Sequence, residues 1–172
     1  MSFRKLTQNE IAFLESRDCT AFDWNNIEVK PEFNPENIYR VSFSGNVKIG
    51  ITTGTFTFPG GLKKPAGLRN VSIHNCELGD NVLIENVQNY IANYKIGNNT
   101  VIQNIDRIVT DEKSTFGNGV EVAVLNETGG REVMINDKLS AHVAYILTLY
   151  RHRPELIQSL RRMVRFYADK HA

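Results

Sequence analysis

The chain has 172 residues, a formal net charge of +1, 41% hydrophobic and 23% charged residues. That composition excludes global disorder and predicts one domain with appendages, while the near balance of charge makes nucleic acid an improbable partner. Short apolar runs, no apolar stretch at the start and only two cysteines, Cys19 and Cys76, predict a cytoplasmic protein with no membrane span and no disulfide framework.

The twelve glycines all lie between Gly45 and Gly130, which divides the chain into residues 1–37, 38–136 and 137–172. In the first part, Thr7-Gln8-Asn9-Glu10 fits a capping box, predicting a short helix near 8–17. Pro31 and Pro35 then mark an irregular, extended lead-in. The middle part is rich in Gly, Asn, Val and Ile, which predicts strands and tight turns. The last part has helical apolar spacing, first through Leu139, Val143, Ile146 and Leu147. Pro154 suits the start of a second helix, whose stripe is Leu156, Leu160, Met163 and Tyr167. These stripes predict helices packed on the middle part or on a second chain.

A six-residue step from Leu78 lands on Ile84, Tyr90, Ile96, Ile102 and Ile108. Neither a helix nor a plain hairpin strand has that period. A stronger recurrence lies at 18 residues, where Leu78-Gly79-Asp80-Asn81 is matched by Ile96-Gly97-Asn98-Asn99. Phe116-Gly117-Asn118-Gly119 follows after 20, as if two residues were inserted. Three short sides closing a coil, with Gly, Asn and Asp at the corners, account for both periods. Leu78, Ile96 and Phe116 are then expected in one inward column.

This pattern resembles the hexapeptide-repeat family, clearly over residues 68–125 and loosely over 38–67. The resemblance implies a mainly β fold, a left-handed parallel β-helix over 38–136, with an N-terminal helical and extended lead-in and C-terminal helices over 137–172. Three longer runs carry a narrower resemblance: Gln88–Tyr94, Ser114–Val122 and Asn126–Glu132. They are similar to the N-terminal part of a family of large bacterial β-helix proteins, loosely related to sugar-phosphate nucleotidyltransferases. That likeness implies that the chain is a segment of a longer protein, and it supplies no active site.

Several residues are candidates for chemistry. His74 is the one histidine of the repeat, at an expected exposed corner. Hexapeptide acyltransferases use a histidine base, so the resemblance implies a catalytic His74; a plain surface histidine is the alternative. Gln88 and Tyr94 fall at inward positions where a narrow coil wants small apolar groups, which reads either as a locally opened substrate-binding wall or as a side covered by the helices. Asn126 and Arg131 flank a glycine pair whose amides and guanidinium suit a phosphate or carboxylate; a solvated turn is the alternative. Lys63, Lys64 and Arg69 could meet an anion at the loop Pro59–Gly67; a solvated basic loop is the favoured alternative. His142, His152 and His171 all lie in the tail, so no metal site is expected. The tail from Arg151 carries a net +4, leaving −3 for the rest, and a solvated face accounts for that.

Two functions remain open. One is a transferase, acyl- or nucleotidyltransferase-related, acting on a sugar or sugar nucleotide. By resemblance it would take acyl-CoA between adjacent subunits of a homo-oligomer, often a trimer. The other is a non-catalytic β-helix scaffold or assembly segment.

Overall fold

The computed structural model describes residues 2–111, 114–123, 130 and 132–171. Contacts divide the chain into two units, Met1–Asp111 and Glu112–Ala172. The chain is mainly β with parallel sheets, and has helical parts towards both ends.

In the first unit, helix α1 spans Gln8–Ser16 and starts as its sequence predicts. The Thr7 side chain accepts from the Glu10 amide, and the Glu10 carboxylate accepts from the Thr7 amide. Leu14 of this helix is fully buried.

Two sheets follow. One stacks Arg4–Lys5, Ile27–Val29, Val47–Ile49, Glu77–Leu78 and Lys95–Ile96 in that order, parallel except at Arg4–Lys5. The second is centred on the long strands Ile38–Ser44 and Gly67–His74 and continues through Leu83–Val87, Ile91–Ala92, Val101–Ile105 and Ile108–Val109. Parallel stacking thus takes in Thr20–Ala21 and Ile27–Val29, ahead of residue 38.

Register places large apolar residues in columns. Val29, Ile49, Leu78 and Ile96 make one, and Ile38, Leu68, Ile84 and Ile102 a second. Phe43, Ile73, Ile91 and Ile108 make the third. Most of these side chains are buried and share one core, whereas Ile102 and Ile108 are half-buried. The 18-residue recurrence is therefore real in space for Leu78/Ile96, Ile84/Ile102 and Ile73/Ile91.

Phe116 departs from its expected column. It lies in the second unit, 65% exposed, in a turn closed by the Asn118 amide on the Thr115 carbonyl. Among the described residues the stack of Leu78 and Ile96 receives no further rung.

Glycine recurs where neighbouring segments touch. A Cβ on Gly50 would lie 2.4 Å from the Gly79 carbonyl oxygen, so a side chain there would force the two segments apart. Corners elsewhere use Asn in the left-handed region, at Asn70, Asn75, Asn81, Asn86, Asn93, Asn99 and Asn104. Asn pays less than most residues for that conformation because its short amide bonds locally. Between Val47–Ile49 and Gly67–His74 the chain throws out an antiparallel hairpin, Thr55–Thr57 with Lys63–Pro65.

The second unit holds a short antiparallel pair, Glu121–Val122 with Val133–Met134, and helices α2 (Ala141–Leu149) and α3 (Pro154–His171). Ser140 caps α2 by accepting from the Val143 amide at 3.3 Å. Leu147, Val164 and Ala168 are buried with Val133 and Met134. Leu156 and Met163 of the expected stripe are exposed in the single chain, and α3 buries Val164 and Ala168.

Candidate functional site

One outward-facing column of the first unit collects the charge. Tyr39, Arg69, Glu85 and Gln103 are register partners on neighbouring parallel strands. The 22-residue offset of Thr20/Ser42 extends the column to Arg17, whose carbonyl accepts from the Arg40 amide at 2.9 Å. Neighbours along this column touch. The Arg17 guanidinium lies over the Tyr39 ring at 5.5 Å, and Arg69 lies over the same ring at 5.9 Å. Arg69 Nη1 donates to Glu85 Oε2 at 3.1 Å, and Gln103 Nε2 donates to Glu85 Oε1 at 2.6 Å. Lys64, from the hairpin, also donates to Glu85 Oε1.

Glu85 and Arg69 are both buried, which is costly for an unpaired charge. Burial pushes the Glu85 carboxyl up, but hydrogen bonds from Lys64, Gln103 and Arg69 outweigh it and hold the group below its ordinary value. The carboxylate is thus ionised and fully occupied. The anion that Lys64 and Arg69 meet is one of the chain's own side chains. This network pins the hairpin over the coil, where Leu83 is completely buried.

His74 ends the strand Gly67–His74 and is exposed, as its register predicts. Its Nδ1 lies 2.8 Å from Ser44 Oγ on the preceding coil, and its Nε2 lies 2.9 Å from Asn75 Nδ2. The roles of these atoms follow from Asn75. Asn75 Oδ1 accepts from the Asn46 amide at 3.0 Å, so its NH2 group faces the imidazole. An amide NH2 can only donate, so Nε2 accepts and Nδ1 carries the proton to Ser44 Oγ. A Ser–His nucleophile pair needs the opposite arrangement, with Nδ1 accepting from the hydroxyl. Nδ1 thus ties His74 to the neighbouring strand through Ser44, and Nε2 is taken by the adjacent Asn75.

Gln88 is exposed rather than inward, and Tyr90 is 38% exposed. The Leu68/Ile84 pair is offset by 16 residues and Ile73/Ile91 by 18, so two extra residues enter between them. That insertion throws Gln88–Tyr90 outward, and Val87 and Ile91 fill the core. Tyr94 is half-buried and packs against the core. Asn126 and Arg131 lie outside the described residues.

Both cysteines are buried, and burial pushes their thiols up, away from reactive thiolate. Among the described residues no group of three or more His, Cys, Asp or Glu is placed to hold a metal ion, and no helix is long and apolar enough to cross a membrane.

The column of Arg17, Tyr39, Arg69 and Glu85 was missed at the sequence level. Its partners lie 16 to 30 residues apart, at unequal offsets, and the longest interval holds the hairpin. Arg69 and Lys64 as an anion-meeting pair was the one available signal.

The family model described as "Domain of unknown function (DUF4954)" matches residues 3–172. An "Uncharacterized protein" of Treponema pallidum (strain Nichols) is 26% identical over 179 residues, which covers 98% of this chain and 25% of that protein. The chain therefore spans about a quarter of that relative's length. No solved structure matches.

Proposed function

The chain belongs to this family of unknown function, and we propose that its first unit is a short left-handed parallel β-helix acting as a non-catalytic scaffold segment of a longer protein. The 18-residue parallel register and the left-handed Asn corners support the coil. The observation that carries the scaffold reading is the bonding of His74. A general base needs a lone pair aimed at the acceptor, and here Ser44 and Asn75 take both ring nitrogens. Glu85 is likewise spent on Lys64, Arg69 and Gln103. Polar groups of this surface bond coil to coil, which gives stiffness rather than reactivity.

The test is release of free CoA from acetyl-CoA in the presence of UDP-sugar acceptors, for the wild type and for His74→Ala. The scaffold reading expects no release above buffer from either. Release that His74→Ala abolishes would reinstate the transferase, with acyl-CoA as donor and His74 as base.

A further inference from the structure

One corner of the first unit stacks five residues in the left-handed region: Asp18, Arg40, Asn70, Asn86 and Asn104, with φ between 49° and 59°. Four are Asp or Asn, the residues that tolerate this conformation best. Asn70 donates to Asn86 Oδ1 at 2.9 Å and Asn86 to Asn104 Oδ1 at 3.2 Å, a ladder that binds successive coils. Arg40 breaks both rules. It carries a long side chain in a strained conformation, and the ladder stops beside it. Its side chain is 67% exposed, and its Nε reaches no carboxylate nearer than Asp18 Oδ2 at 3.9 Å. Packing does not repay that strain, and strain that packing does not repay points to function.

Arg17 lines the same cleft as Arg40, and its carbonyl accepts from the Arg40 amide at 2.9 Å. Arg17 lies over the Phe13 ring at 5.8 Å and the Tyr39 ring at 5.5 Å, and its Nη2 donates to the Glu36 carbonyl at 3.0 Å. Arg17 is therefore held in place while most of its five N–H donors stay uncommitted to that bond. Ser16, Arg17, Asp18, Tyr39 and Arg40 line one open cleft of about 330 Å³.

We propose that this cleft binds the phosphoryl group of a small hydroxylated molecule. Two guanidinium forks match the oxygens of a tetrahedral oxyanion. The Asp18 carboxylate repels any phosphoryl group, and only a ligand whose hydroxyl groups donate to it offsets that repulsion. Together they select a phosphorylated polyol or sugar over inorganic phosphate. The site does not depend on the scaffold reading, because it needs no reaction and does not involve His74.

Calorimetric titration with glycerol 3-phosphate, inorganic phosphate and glycerol tests this, on the wild type, Arg40→Asn and Arg17→Gln. The expected result is saturable binding of glycerol 3-phosphate, tighter than phosphate, with none for glycerol. Either variant should weaken it roughly tenfold or more, the value of a charge-assisted hydrogen bond. Arg40→Asn should also raise the melting temperature, since Asn relieves the strain and can extend the ladder. No saturable binding by the wild type, binding unchanged in Arg40→Asn, or phosphate binding as tightly as glycerol 3-phosphate would each overturn the proposal. A lower melting temperature for Arg40→Asn would overturn the strain argument on which it stands.

Discussion

Lys30 Nζ lies 2.7 Å from Asp80 Oδ2, a contact that ties the lead-in to a coil 50 residues further along. The same carboxylate accepts the Ile51 amide through Oδ1 at 3.0 Å. The hydrogen bond from Lys30, followed by that from Ile51, holds the Asp80 carboxyl below its ordinary value. Asp80→Ala removes both partners and should cost about 1–3 kcal/mol, because the half-buried amide loses its acceptor. Lys30→Met removes only a partly exposed charge and should cost about 0.2–1 kcal/mol. Urea denaturation of the two variants checks the order.

The buried Glu85 network makes a sharper case. Glu85→Ala leaves the Arg69 guanidinium, 10% exposed, without its carboxylate. Breaking a buried pair from one side should destabilise by about 3–5 kcal/mol. Glu85→Gln keeps an acceptor and should cost less. Thermal melts of both variants against the wild type decide this.

Acid should weaken the first unit. Glu10 is lowered to about 2 by its hydrogen bond from Arg4, opposed by burial and helped by Thr7. Asp80 and Glu85 are lowered too. A carboxyl whose folded value is depressed gives stability that is present above its unfolded value and is lost as pH falls through its folded one. For Glu10 that window runs from 4.5 down to about 2. Melting temperature measured across it should fall steadily, and Glu10→Gln should flatten part of the fall.

Core columns should not be equally sensitive along their length. Ile84 is fully buried while its partner Ile102 is half-buried. Ile84→Ala should cost about 2–5 kcal/mol, with Ile102→Ala clearly less. In the second unit Val164 is buried and Met163 is 67% exposed, so Val164→Asp should destabilise far more than Met163→Asp. Denaturation midpoints give both comparisons.

The parts that could be read in advance are those where a column repeats locally. Leu78/Ile96 and Ile84/Ile102 declare themselves because an inward column demands an apolar residue on every coil. The capping box of α1 and the proline start of α3 are signals carried by neighbouring residues. Gln88 and Tyr90 were misplaced because the next inward residue after Ile84 is Ile91, one residue beyond the six-residue step, a slip that leaves composition unchanged. Phe116 was misplaced because Phe-Gly-Asn-Gly forms a turn in the second unit. Arg17 and Arg40 precede the repeat, and neither matches the residue type stacked on it, so only the register brings them to notice.

The scaffold account rests most directly on where the His74 proton sits. A long-range nitrogen–proton correlation spectrum of the imidazole reads this without perturbing the protein. The account predicts the Nδ1–H tautomer, donating to Ser44 with Nε2 accepting from Asn75. The Nε2–H tautomer, which leaves Nδ1 free to take the Ser44 proton, would contradict it.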